Sequence, residues 1–158
     1  MPRQDCTIMR GTRARASVGR SGDRTFSQLL GTQYSWWFMA LVDALDFIPE
    51  NHPGRADMLG YIRGLAETLP KYQDKVGLWY QVIDQPKRKG NFPEASVTTQ
   101  CMYAYAKAVN KGYIDAKYRA VAEKALQGLK DKLLVEKQDG TLTLTVAARL
   151  AAWAVIVD

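Results

Sequence analysis

From Trp36 onward the chain alternates long stretches of helical hydrophobic period with short turns built on proline and glycine. The run Trp36 to Ile48 is apolar except for Asp43 and Asp46, which predicts a helix buried on most sides. Pro49 ends it, and Pro49-Glu50-Asn51-His52-Pro53-Gly54 predicts a turn, because proline cannot continue a helix and pushes its preceding residue towards extended geometry. A second helix follows from about Arg55 to Tyr72, with Met58, Leu59, Ile62, Leu65, Ala66 and Leu69 on one stripe. Together they predict an αα-hairpin.

The plan then repeats. A polar loop separates Gly77-Leu78-Trp79-Tyr80-Gln81-Val82-Ile83-Asp84 from a helix over Ser96 to Asn110, carrying Cys101, Met102, Tyr105, Ala108 and Val109. Gly112 closes that helix, and another over Ala116 to Leu134 presents Tyr118, Val121, Ala122, Ala125, Leu126, Leu129 and Leu133. Asp139-Gly140 reads as the tight turn of a hairpin between Leu134-Val135-Glu136 and Thr141-Leu142-Thr143-Leu144. Stacked helical hairpins form either an open solenoid or a closed ring. Solenoid connections are short and alike, whereas Gly77 to Ala95 is long, aromatic and irregular, as in a loop lining a site.

Charge changes the picture at one end only. The 158 residues carry a formal net charge of +6, yet residues 1–35 hold six Arg and two Asp, and residues 36–158 are close to neutral. The first 35 residues show neither helical nor alternating periodicity and are rich in Gly, Ser and Thr, which predicts disorder. No aromatic interleaves the arginines before Phe26, which argues against a nucleic-acid-binding arm. No apolar run approaches the roughly 20 residues of a membrane-spanning helix, and Met1 to Arg24 lacks an apolar signal core, so the expected location is cytoplasmic. Cys6 and Cys101 make no disulfide framework or zinc motif, and a single histidine, His52, excludes chemistry needing two imidazoles. No metal or cofactor is implied.

The segments WFMALVDALDFIPENHP, GLWYQVID, GNFPEAS and YAYAKAVNKGYID, followed by a VAEKALQGL helix, resemble consecutive pieces of the unsaturated uronyl hydrolases of glycoside hydrolase families 88 and 105. The likeness is greatest to the unsaturated rhamnogalacturonyl hydrolases of family 105, and it runs collinearly from Trp36 to Thr145. It implies an all-α fold: a fragment of an (α/α)6 barrel, roughly its second half, with about three helical hairpins and a short β-hairpin near the C-terminus. The implied substrate is an oligosaccharide ending in a sugar with a C4=C5 double bond. An aspartic acid protonates that vinyl ether while water adds at C5, and the hemiketal then collapses. Such chemistry differs from two-carboxylate displacement at the anomeric carbon and needs one carboxyl group acting as acid and then base.

In the family that aspartate lies in a motif like YHAWD, followed by WGRxxGW, and neither is intact here; only Trp36-Trp37 matches the end of the second. A change of reading frame is expected to account for both. Ser27 to Ser35, encoded as TCC CAA CTT CTG GGG ACG CAG TAT AGC and read one base on, gives PNFWGRSI directly before Trp36. Cys6 to Thr12, encoded as TGT ACC ATC ATG CGT GGG ACG and read two bases on into Arg13, gives YHHAWDA. Val146 to Ile156, read two bases on, accommodates CCAV and GLGGN. Residues 1–35 and 146–158 are therefore expected to be out-of-frame translation, through sequencing error or gene decay, with 36–145 as partial hydrolase domain.

No catalytic residue can be assigned on this reading. The resemblance makes Trp36 a sugar-stacking residue, the alternative being burial with Trp37 and Phe38. Trp79, Tyr80 and Gln81 are expected in the wall of the barrel lumen, with Trp79 the favoured stacking platform; the alternative is that Trp79 and Tyr80 plug the end of the core. Glu94 and Ser96 stand at the entry of a helix, where they contact ligand or cap the helix. Asp43 and Asp46 are three apart on one helix but away from the catalytic motif, and are read as structural. The expected partner is an oligosaccharide, with neither nucleic acid nor membrane. A partial ring also exposes apolar helix faces suited to self-association. A helical-repeat module using Trp79 and Tyr80 as a protein-binding groove is the alternative function.

Overall fold

A computed structural model describes residues 29–145. The segments 1–28 and 146–158, most of the stretches expected to be out of frame, lie outside the described residues. Four α-helices and one small β-hairpin follow in order: α1 (Gly31–Ala44), α2 (Arg55–Thr68), α3 (Ala95–Asn110), α4 (Arg119–Lys132), β1 (Leu134–Glu136) and β2 (Leu142–Leu144). Single 3-10 turns extend α2 through Leu69–Tyr72 and precede α4 at Ala116–Tyr118. The strands pair antiparallel, Leu134 opposite Leu144 and Glu136 opposite Leu142, with Gly140 at φ 78° in the turn. These residues hold two of the expected helical hairpins.

α1 departs from the sequence expectation at both ends, beginning at Gly31 rather than Trp36 and unwinding at Leu45 rather than Ile48. Its start is set by pairing outside the helix: Gly31 N donates to Gln81 O at 2.7 Å, and Leu30 bridges to Val82. Its end is held by Arg55, whose Nη1 donates to Leu45 O at 2.9 Å and Ile48 O at 2.6 Å. One guanidinium thus satisfies carbonyls left open where α1 ends and fixes the return into α2.

α1 and α3 run parallel, since Ser35 meets Gln100 near their starts and Asp43 meets Lys107 near their ends. α3 packs closely on both α1 and α4. The core between them centres on Tyr105, wholly buried on α3. Its ring meets Phe38 edge-on at 5.0 Å and stacks on Trp79 at 6.3 Å and 12°, while its hydroxyl donates to Ala66 O at 3.0 Å. One side chain therefore joins α1, α2, α3 and the loop before α3, with its polar end satisfied.

The stripe Ser35, Phe38, Leu41, Val42 and Leu45 faces this core with helical spacing. Trp36 and Trp37 flank it and are 57% and 45% exposed, so the expectation of their burial is corrected. Small residues let α4 approach: Gly128 is so close to the segment between α2 and α3 that a Cβ there would lie 2.3 Å from Val76 O.

Candidate functional site

The connection from Gly77 to Ala95 lies against the N-terminal ends of the parallel helices. Its leg Trp79–Ile83 is extended between two partners. On one side Ile83 N donates to Leu29 O at 2.9 Å beside the Gly31–Gln81 bond. On the other, Gln81 N donates to Phe92 O at 3.0 Å and Glu94 N to Trp79 O at 2.8 Å, about a Tyr80–Pro93 bridge. Gly31 is required at this junction: a Cβ would stand 2.7 Å from Tyr80 O and 2.9 Å from both Ile83 Cγ2 and Val97 Cγ1.

Asn91 holds the loop's neck. Its Oδ1 accepts from Val82 N and Phe92 N, both at 3.1 Å, and its Nδ2 donates to Val82 O at 2.9 Å and Gln85 O at 2.8 Å. Asn91 stands inside the GNFPEAS segment, and its role was not foreseen from the sequence. Its position between glycine and an aromatic in a long loop was the available signal.

The structure divides the expected binding residues into two groups. Trp79, Gln81 and Glu94 are sealed from solvent, at 0%, 2% and 0% exposure. Trp79 offers no open face for stacking: its indole lies on Tyr105, its Nε1 donates to Leu69 O at 2.8 Å, and its backbone N donates to Thr98 Oγ1 at 3.1 Å. The stacking platform expected of it is corrected to a core plug, because that is where an indole is both desolvated and hydrogen-bonded. Glu94 is the N-cap residue of α3 but its carboxyl does not cap. Its Oε1 accepts from Ser96 Oγ at 2.5 Å, and burial raises its proton affinity above the ordinary carboxylate value.

The second group stays accessible. Trp36 is exposed on α1, and Tyr80 and Ser96 are half-buried. Trp36, Ala40 and Asp43 succeed one another at helical spacing along α1, and Asp43 meets Tyr103 and Lys107 of α3. This open face is pinned at both ends. Ser35 Oγ donates to Gln100 Oε1 at 2.6 Å, a pair that sequence reasoning missed because two neutral polar residues in apolar helices carry no pattern.

At the other end Lys107 Nζ lies 2.6 Å from both Asp43 Oδ1 and Asp46 Oδ2, Lys111 Nζ lies 3.1 Å from Asp46, and Tyr103 OH donates to Asp43 at 2.7 Å. The Lys107 ammonium holds both carboxyls below their ordinary range, so they are ionised at neutral pH and serve as struts rather than proton donors. His52 is exposed, and its Nδ1 accepts from Gly54 N at 3.1 Å.

Two surface cavities are also present among the described residues. One, of about 430 Å³, is lined by polar residues including Arg63, Glu67, Asp115 and Lys117; the other, of about 360 Å³, lies between α1 and α2 and includes Tyr34, Trp37, Tyr61 and Tyr72. Among the described residues, no group of three or more His, Cys, Asp or Glu is placed to hold a metal ion, and no helix is long and apolar enough to cross a membrane.

Helical hairpins whose first helices run side by side, joined by a long loop at their N-terminal ends, define part of a six-hairpin glycosidase fold. The chain belongs to Glycosyl Hydrolase Family 88, whose model matches residues 31–153. A glycoside hydrolase from family 105 of C. acetobutylicum ATCC 824 superposes with a TM-score of 0.71 at 34% identity, covering 74% of this chain and 33% of that one. A family 88 glycosyl hydrolase from Bacteroides vulgatus shares the fold at 22% identity and a TM-score of 0.70, covering 78% and 34%. Protein Atu3128 of Agrobacterium fabrum is 30% identical over 120 residues, 73% of this chain and 51% of its own. The chain thus spans about half the length of the curated relatives it matches and about a third of the solved ones, less than the half-barrel expected of the latter.

Proposed function

We propose that this chain is part of a glycoside hydrolase acting on unsaturated uronyl oligosaccharides derived from rhamnogalacturonan, by hydration of the vinyl ether, and that the 158-residue polypeptide itself has little or no activity. The observation carrying the first half is the open α1–α3 face in a family 88 fold, where Trp36 presents an exposed indole beside the Ser35–Gln100 pair. An exposed indole suits a sugar, stacking on its apolar face. Tyr80 and Ser96 are the remaining binding residues in this reading; Trp79, Gln81 and Glu94 support them from beneath.

Inactivity rests on the proton donor. The vinyl ether needs a carboxylic acid at the sugar, and the two acids on this face, Asp43 and Asp46, are ionised and held by Lys107. In this reading the family's aspartate belongs to residues 6–13 taken in another frame. The test is the ultraviolet absorbance of an unsaturated rhamnogalacturonan disaccharide incubated with the purified chain. Unchanged absorbance is expected, and measurable turnover by this polypeptide overturns the proposal. Sequencing the gene tests the frame: codons that fail to give the WGR and AWD motifs when shifted remove that explanation.

The exposed face also favours self-association, with Trp36, Phe47 and Tyr103 outside the core at 57%, 87% and 42% exposure. Sedimentation across a concentration series is expected to show assembly beyond the monomer; a monomer throughout rejects it. The protein-binding groove built on Trp79 loses its support, since that indole is buried.

A further inference from the structure

Two buried oxygens beneath the binding face lack a hydrogen-bond partner: Gln81 Oε1 and Glu94 Oε2. Their backbones are locked in antiparallel register, Trp79 opposite Glu94 and Gln81 opposite Phe92. Alternation along such a pair puts the side chains of Trp79, Gln81, Phe92 and Glu94 on one face. Gln81 and Glu94 are diagonal neighbours there, a separation that two long side chains can bridge.

Neighbouring donors are committed elsewhere. Ser96 Oγ donates to Glu94 Oε1, Thr98 Oγ1 to Glu94 O, Trp79 Nε1 to Leu69 O, and the Asn91 amide to Val82 O and Gln85 O. An ionised Glu94 leaves two buried acceptors facing a shortage of donors. A single proton on Glu94 supplies both, because a protonated carboxyl is a donor while an amide oxygen accepts.

We propose that Glu94 is a neutral carboxylic acid in the folded protein and donates its Oε2 proton to Gln81 Oε1, so that a proton fastens the 77–95 loop to the start of α3. Burial without a facing cation agrees with this: only desolvation and the Ser96 hydroxyl act on Glu94. The ionisable groups of its own loop are Asp84, Lys87, Arg88 and Lys89, with Asp84, Lys87 and Lys89 exposed. α3 contributes Cys101 and Tyr105, whose protons are held more tightly by burial, and Tyr103 and Lys107, both engaged with Asp43 at the far end of α1. Lys124 of α4 donates to Asp74 O.

The loop fastening is independent of whether the chain binds sugar. Its test is the carbon-13 signal of the Glu94 side-chain carboxyl in the full chain, assigned by its loss in Glu94→Gln and followed from acid to neutral pH. The protonated position is expected to persist at neutral pH. Titration at the ordinary glutamate value overturns the proposal and assigns a reversed Gln81 amide, with Nε2 donating to an ionised Glu94. Thermal unfolding gives a second reading: the midpoint of the unaltered chain should fall relative to Glu94→Gln as pH rises from 4 to 7. Parallel curves overturn the proposal. If Glu94→Gln does not fold, Gln81→Met with Glu94 intact replaces it; removal of the acceptor should lower the Glu94 pKa by at least one unit, and an unchanged value overturns the proposal.

Discussion

The hydroxyl of Ser35 on α1 donates to the side-chain carbonyl of Gln100 on α3 at 2.6 Å, joining two parallel helices whose shared interface is otherwise apolar at that level. Ser35 is fully buried, so replacing it with alanine leaves Gln100 Oε1 without its donor. Ser35→Ala is expected to cost about 1–2 kcal/mol, measured as a lower urea midpoint. A shift within experimental scatter would mean that solvent replaces the serine at no cost.

Gly128 marks a close approach of α4 to the segment between α2 and α3. Alanine would normally favour a helix by about 1 kcal/mol over glycine, but here its Cβ would meet Val76 O at 2.3 Å. Sterics reverse the helix preference, and Gly128→Ala is expected to destabilise by about 2 kcal/mol or more. Gly60, with nothing within 4 Å of its would-be Cβ, is the control: Gly60→Ala should raise the unfolding midpoint.

The two tryptophans foreseen at the sugar should separate in experiment. Trp79→Ala empties a core site and is expected to cost about 3–5 kcal/mol. Trp36→Ala should change stability by only about 0.5 kcal/mol, while abolishing whatever oligosaccharide binding the chain retains. Calorimetric unfolding with saccharide titration distinguishes them, and equal destabilisation by both would contradict the burial difference.

Acid and alkali act on different carboxyls. Asp43 and Asp46 are held below their ordinary value by Lys107, so the stability they contribute is present above that value and disappears as pH falls through their folded-state values. Glu94 is shifted upward by burial, so its contribution is complete below the ordinary glutamate value and is lost as pH rises towards its folded-state value, at up to about 1.4 kcal/mol per pH unit. Urea unfolding across pH should therefore place greatest stability in the mildly acidic range, and Glu94→Gln should move the optimum towards neutrality.

Most helix spans were legible because their signals are local. The second predicted helix, Arg55 to Tyr72, coincides with α2 and its 3-10 extension, and Ser96 to Asn110 differs from α3 by one residue. α1 was misplaced because its start depends on Gly31 bonding to Gln81, fifty residues away, and its end on Arg55 across the turn. The site was less legible for the same reason. GLWYQVID and GNFPEAS identify the right loop, but which of Trp79, Tyr80 and Gln81 faces outward follows from the register with Phe92 to Glu94, which composition does not encode.

The Asn91 clasp has an evolutionary consequence. By bonding across both legs with its side chain, Asn91 closes the loop below its tip, so that Pro86 to Gly90 hang from a neck already fixed. Insertions, deletions or grafted peptides in that tip are expected to leave the Trp79–Glu94 pairing undisturbed. The same position can then diversify rapidly among relatives, or accept an affinity tag, without remodelling the helices beneath.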